Sequence, residues 1–396
     1  MLPNPYTPGQ LPRVLAGREA EKERIRGYLS RVAAFGELGG PLLVFHAPRG
    51  VGKTSLLREG QRDAVEHGFV TAWTACTRRR PFLPELVDRV GRALEDAEVV
   101  PARERTRWRA TLEKVSVQVG VPGAAQVTAE FDTRRDTAVA PAAPVAAVED
   151  LLHLAATRVR VRGGAGLVVF LDELHAPASQ DLAVFLNAMQ NLDGARPDNP
   201  LAVVSAGLPS TPEVLTKAAT FGERSAFVAL PLLDGPASRQ ALSVPAELLG
   251  VRWTNGALRA VEAQAQGYPY FLQLTAQAAW DKAAPEQGDQ ITARHVAAAL
   301  PSAQGQLEAM YRARWRSATA LEQQLMAAMA ADGRDSVPRA EIAAGMGRES
   351  RAISVPRDRL LDKGVIESAG HGHLRFTLPG FADYIRRQAG TGDAPG

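Results

Sequence analysis

The sequence predicts an α/β fold, a mostly parallel sheet covered by helices on both faces, followed by helical domains. Three observations predict it. Short apolar runs bounded by glycine or proline alternate with helical stretches through the first 235 residues. One such run, Pro41–Phe45, enters a glycine-rich loop, Gly50-Val51-Gly52-Lys53-Thr54, that opens a helix. Another, Leu167–Leu171, ends on two adjacent carboxylates, Asp172 and Glu173.

In chain order, residues 1–12 are proline-rich and read as an extended lead-in, and 18–34 as a helix. Pro41–Phe45 has the length and breakers of a buried strand. A helix over Lys53–His67 with Gly68 at its C-terminal cap is expected next, then a strand over Phe69–Cys76 and a helix near 83–95. In 114–131, Val115, Val117 and Val119 alternate with other residues and Val127, Ala129 and Phe131 resume the pattern after Pro122-Gly123, which predicts a β-hairpin insertion. Residues 133–147 read as a surface loop. Helix 148–160, strand 167–171, helix 179–190, strand Leu201–Ser205 and strand Phe227–Leu230 complete the alternation. The pattern is helical from 236 to about 310, and 318–388 read as a separate small domain. The expected domains are 1–235, 236–312 and 313–396.

At 396 residues the chain is long enough for two or three such domains. The net charge is +3, and only six of the 46 basic residues are lysine, so arginine richness reflects coding bias as readily as a nucleic-acid partner. Cys76 is the single cysteine, which excludes an intrachain disulfide and a cysteine-based zinc site. There is no secretory n-region and no apolar run of membrane-spanning length, so a cytoplasmic protein without membrane contact is expected. No Gly-x-Ser-x-Gly elbow and no paired-histidine metal spacing occur.

The glycine loop fits the template of a phosphate cradle. Gly50 and Gly52 let backbone N–H groups turn toward phosphate oxygens where a Cβ would interfere. Lys53 adds a point charge, the Thr54 hydroxyl can ligate magnesium, and the helix N-terminus supplies further donors. The first glycine of the template is replaced by Ala47, which puts the entry geometry of the loop in question. Asp172 at the end of a buried strand matches the acidic partner of such a loop and would hold the magnesium, while Glu173 would orient and deprotonate an attacking water.

These motifs in this order resemble an AAA-type P-loop ATPase of the archaeal and bacterial origin-recognition-like group, related to the STAND signalling NTPases. Leu15-Ala16-Gly17-Arg18-Glu19 is similar to that family's N-terminal motif, Arg49 through Leu57 to its P-loop, and Gly267-Tyr268-Pro269 to the Gly-x-Pro of its helical lid. The resemblance implies ATP and Mg2+ as cofactors. It implies nucleotide contacts at Gly17, Arg18, Arg49, Gly50, Val51, Gly52, Lys53, Thr54, Ser55 and Pro269, and slow hydrolysis to ADP and phosphate with Glu173 and Lys53 as catalytic groups. Two further positions follow from it. Ser205 falls where a sensor would meet the γ-phosphate, or is a small residue at a strand end. Arg224 falls where an arginine would stabilise γ-phosphate charge in cis or from a neighbouring copy, or is a surface ion pair.

Three helices near 320–331, 338–345 and 354–363, with strands flanking Gly370-His371-Gly372, resemble a winged helix. Arg351, Arg359 and Lys363 are its candidate contacts to double-stranded DNA. Asp358, Asp362 and Glu349 dilute that face, so a protein partner stands beside DNA as the output. The expected function is an ATP-driven switch that sets this domain's position, acting on DNA or in signalling or defence through a protein, with ATP-dependent self-association possible. The basic runs at Arg78–Arg80 and Arg103–Arg109 read as solvated faces, and His175 as a structural histidine or one facing the nucleotide.

Overall fold

The computed structural model describes residues 2–120, 144–331, 333–370 and 372–390. Its centre is a five-stranded, all-parallel sheet of β1 (Leu43–His46), β2 (Phe69–Ala75), β3 (Gly166–Asp172), β4 (Leu201–Gly207) and β5 (Ala226–Ala229), in the order β2-β3-β4-β1-β5. Every residue of β3 and β4 is buried, as strands covered on both faces must be. That is why they read as unbroken apolar runs. Around the sheet lie α1 (Glu19–Phe35), α2 (Lys53–Glu66), α3 (Phe82–Asp96), α4 (Arg105–Gly120), α5 (Pro144–Val161), α6 (Ser179–Gly194) and α7 (Thr211–Ala218). Two buried clusters result, one on each face of the sheet, around Phe45 with Phe170 and around Val169 with Leu186. Each large apolar side chain so enclosed stabilises the fold by about 1.5–3 kcal/mol.

The predicted hairpin is corrected here. Residues 114–120 belong to the helix α4, and the rest of the proposed hairpin, with Val127, Ala129 and Phe131, lies outside the described residues. Val115 and Val119, spaced i and i+4, are buried with Trp108 against α3, whereas Val117 is 62% exposed. Val115 and Val119 satisfy a two-residue period and a helical period at once, and the helical one is used because α3 offers a complementary face. Leu112 fits there against Gly91, where a Cβ would come within 2.2 Å of its Cδ1.

A helical region follows: α8 (Gly235–Glu247), α9 (Asn255–Ala265), α10 (Pro269–Ala283) and α11 (Ala293–Arg316), with a two-stranded pair β6 (Arg252–Trp253) and β7 (Gln290–Ile291). The lead-in is a strap on this region. Tyr6 is fully buried edge-on against Trp253 and Trp280, with both ring centroids 6.0 Å away, and the Trp253 indole N–H donates to its hydroxyl at 2.7 Å. The C-terminal segment comprises α12 (Ala320–Ala330), β8 (Ser336–Pro338), α13 (Arg339–Gly345), α14 (Ser354–Asp362), β9 (Ile366–Ser368), β10 (His373–Phe376) and α15 (Phe381–Gly390). β10 pairs antiparallel with both β8 and β9. Among the described residues no helix is long and apolar enough to cross a membrane.

Candidate functional site

The loop after β1 sits at the carboxyl edge of the parallel sheet, where strand ends and helix N-termini converge. Gly50 and Gly52 have φ of +84° and +98°, a region that favours glycine. Gly50 is needed for a second reason: a Cβ there would come within 3.0–3.1 Å of Tyr268 and Tyr270. Ala47, at the template's missing glycine, does not have a positive φ, so alanine is compatible with the loop's entry. It is buried, and its N–H donates to the Gly207 carbonyl at 3.2 Å. Lys53 is 5% exposed and its ammonium donates to the carbonyls of Ala47 and Pro48, each at 2.9 Å. Burial pushes this ammonium down to about 8, against the pull of Glu173 and Asp172.

The acidic side meets the loop as expected. The Thr54 hydroxyl donates to Asp172 at 2.7 Å. Burial raises the Asp172 carboxyl above the usual range, and the Thr54 hydrogen bond opposes this. Thr54 and Asp172 thus bring two hard oxygen ligands to one point, a donor set that fits Mg2+ completed by phosphate and water oxygens. Glu173 follows in the left-handed region, with φ +56°. For a non-glycine residue this is strained, and the Asp172 carboxylate helps hold it by accepting the Glu173 N–H at 3.0 Å. The Glu173 carboxylate is 3.3 Å from Arg49 and 3.5 Å from His175 Nε2. His175 is buried and pushed down to about 4, first by desolvation, so it is neutral near pH 7 and this contact is not an ion pair. Its Nδ1 accepts the Leu208 N–H at 3.3 Å, which leaves the ring proton on the nitrogen facing Glu173.

The helical region closes the site from above. The Tyr268 hydroxyl donates to the Arg49 carbonyl, and the Tyr270 N–H to the Gly50 carbonyl at 3.2 Å. Pro269, the first residue of α10, lines the same cavity. Gly267 is fixed by close approach, since a Cβ there would lie 2.2 Å from the Leu233 carbonyl oxygen. The cavity measures about 780 Å³. Its lining includes the apolar Leu11, Pro12, Leu15 and Leu233, and the cations Arg18, Arg49, Lys53, Arg58 and Arg314 with the single lining carboxylate of Glu173. This is the size and polarity of a nucleotide with its polyphosphate.

Sequence-predicted residues divide sharply. Arg49 to Ser55, Glu173, Arg18 and Pro269 all line the cavity, and Asp172 reaches it through Thr54. Arg18 is 2% exposed and spends its guanidinium on the carbonyls of Gly17, Val51 and Pro231, so it clamps the loop to the segment after β5. Gly17 is not among the lining residues. Ser205 does not face the cavity: β4 runs two residues further than the sequence indicated, and the Ser205 hydroxyl donates to the Leu43 carbonyl at 3.3 Å inside the sheet. Arg224 is also misplaced for a contact in cis. It precedes β5, and in a parallel sheet that is the edge opposite the phosphate loop. There it is exposed, 3.9 Å from Asp193. Lys363 is corrected as a free DNA contact, because its ammonium binds the buried Glu322 carboxylate at 2.7 Å and the Ser317 carbonyl at 3.0 Å. Arg351 and Arg359 are exposed.

Three contributors were missed. Arg58, one turn beyond Thr54 on α2, stacks 3.5 Å over Trp73 and lines the cavity; its i+4 spacing was a usable signal. Tyr268 sits inside a motif already singled out. Arg314 lies 45 positions beyond Pro269, and nothing local points to it.

Residues 14–204 match the family model described as an AAA ATPase domain. Residues 308–385 match a second model, described as a domain of unknown function. No curated protein matches the chain by sequence. Among solved structures, the chain is similar to a Walker-type ATPase of Pyrococcus abyssi, with TM-score 0.56, 15% identity, and 94% of this chain and 96% of that one covered. It is also similar to the Orc2 protein of Aeropyrum pernix, solved as ADPNP–ADP complexes, with TM-score 0.55, 16% identity, and 97% of each chain covered. At these identities the likeness concerns the fold.

Proposed function

We propose that this protein binds and hydrolyses ATP and uses the nucleotide to set the position of its C-terminal segment. The observation that carries the reading is the charge of the cavity, with five cationic side chains and one carboxylate around a phosphate loop. Lys53 and the loop N–H groups hold the polyphosphate. Thr54 and Asp172 hold Mg2+, which when bound neutralises charge on the phosphate oxygens. Glu173 orients the attacking water and takes its proton. The nucleotide-bound Orc2 structure of the same fold supports an adenine nucleotide as the ligand. In this reading the helices 235–316 act as lid, since Tyr268 and Tyr270 bridge to the loop, and a chain break between β- and γ-phosphate changes what that lid grips. Arg224 at the opposite edge is available only to the nucleotide of a neighbouring copy. The test is phosphate release from ATP by the full chain; no release above background at any protein concentration would contradict hydrolysis.

The output is a winged-helix domain in this reading, supported by the element order helix, strand, helix, helix, strand, strand of α12 to β10. Action on duplex DNA is the second part of it, supported by the exposure of Arg351 and Arg359. The alternative, a signalling or defence output through a protein partner, gains from the internal pairing of Lys363 and from the inner face of α14. There Asp358, Leu361 and Asp362 border a cleft of about 1240 Å³ against the ATPase domain, and Asp362 pairs with Arg78 at 3.2 Å. Salt-dependent retention of duplex DNA by the full chain, with and without ATP, separates the two outputs.

A further inference from the structure

Arg314 stands apart from the other cations of the cavity. It lies in the last turn of α11, immediately before the chain enters the C-terminal segment. It lines the cavity half-buried, and burial lowers its pKa from the usual arginine range. Arg49, Lys53 and Glu173 line the same cavity. Its hydrogen bond goes to a neutral group, the Gly364 carbonyl, at 3.5 Å, the long limit for such a contact. No carboxylate pairs with it among the described residues.

Gly364 is a junction. With φ +64° it follows the end of α14 and turns the chain toward β9, and it packs so closely on Leu208 that a Cβ would meet that side chain at 2.9–3.0 Å. Leu208 is the residue whose N–H is held by His175, and His175 faces Glu173. The corner at Gly364 is thus gripped from two sides by groups that reach the nucleotide site. Its carbonyl has a better donor than Arg314, since the Thr377 hydroxyl donates to it at 2.7 Å. Losing Arg314 leaves that carbonyl satisfied, and a charged phosphate oxygen is the stronger acceptor for a guanidinium.

We propose that Arg314 is a ligand for the anionic end of the nucleotide, and that its transfer from the Gly364 carbonyl to the nucleotide loosens the hold of α11 on the α14–β9 corner. This rests on the ATP-binding reading above. It makes one side chain the link between occupancy of the cavity and release of the C-terminal segment, with Leu208 and His175 as the second contact on the same corner. Two discrete partners for one guanidinium supply the differential interaction that a coupling of this kind needs.

The test uses the full chain, a fluorescent ATP analogue for affinity, and amide hydrogen exchange across 364–378 with and without ATP. Lys53→Ala serves as the control for the ATP-binding reading. The expected results are about tenfold weaker binding in Arg314→Gln, from loss of one charge-assisted hydrogen bond, and partial recovery in Arg314→Lys. ATP should also speed exchange at 364–378 in the wild type and not in Arg314→Gln. Unchanged affinity in Arg314→Gln would overturn the proposal. Weaker binding with an undiminished exchange response would overturn the coupling. If Arg314→Gln fails to fold, Arg314→Lys carries the same comparison, with affinity or exchange response equal to wild type in both measurements contradicting a geometric role. Failure of the wild type itself to bind, with Lys53→Ala indistinguishable from it, would instead sink the ATP-binding reading.

Discussion

The nucleotide cavity and the C-terminal segment hold similar basic residues in opposite ways. In the cavity, Lys53 and Arg18 reach neutral carbonyls, Arg58 lies on an indole and contacts Gln61, and Arg49 alone meets a carboxylate. In the C-terminal segment the basic side chains find acids on their own fold: Lys363 with Glu322 at 2.7 Å, Arg375 with Glu367 at 2.5 Å, Arg357 with Asp358 at 2.6 Å, and Arg386 with Asp383. Burying cationic groups without counter-charge is unfavourable unless a ligand brings the charge. The first region is therefore shaped for an anion. The second has largely neutralised itself, and the number of arginines in its sequence overstates its pull on nucleic acid.

The comparison can be broken at several points. The largest effect is expected at Glu173→Gln, which should lower phosphate release by roughly 10²–10⁴-fold, the range of a lost general base, while ATP binding persists; steady-state release with parallel binding titrations checks both halves. At the boundary of the two regions, His175 is pushed down to about 4 by burial, so the unfolded chain takes up its proton first as pH falls. Stability contributed by the neutral ring is complete above about pH 6.5 and is lost between about 6.5 and 4, by at most about 3 kcal/mol. Denaturant unfolding at several pH values should show this slope in the wild type and a flatter one in His175→Gln.

Within the C-terminal segment, Lys363→Ala removes the partner of a fully buried carboxylate. Although burial pushes Glu322 up, hydrogen bonds from Lys363 and Thr319 prevail and hold it below the ordinary range. The variant should lose about 1–3 kcal/mol of stability, read by thermal melting, the lower end applying because Lys363 is itself partly solvated. The smallest effect is at Arg351→Ala and Arg359→Ala. If these side chains touch duplex DNA, each should reduce the salt-dependence slope of binding by about 1, and equal slopes would remove them from the contact surface.

Much of this architecture was legible because the strongest signals were local. The strand before Gly50, the acidic end of β3 and the breakers around β4 each belong to one element, so periodicity and breakers reveal them. Val115, Val117 and Val119 misled because two periods coincide over five residues and only α3 decides between them. For Ser205 and Arg224 the sequence left alternatives open for a topological reason: which face a strand residue presents, and which sheet edge a loop residue occupies, depend on strand order that no local pattern states. Arg314 and the junction at Gly364 were invisible for the same reason, since only tertiary packing brings the end of α11 to the cavity and to Gly364.

The most direct test of the central claim is calorimetric titration of the full chain with Mg-ATP beside Lys53→Ala. The account predicts saturable one-site binding by the wild type, weakened at least about tenfold when the buried ammonium is removed. Equal affinity in the two proteins, or no binding in either, would contradict it.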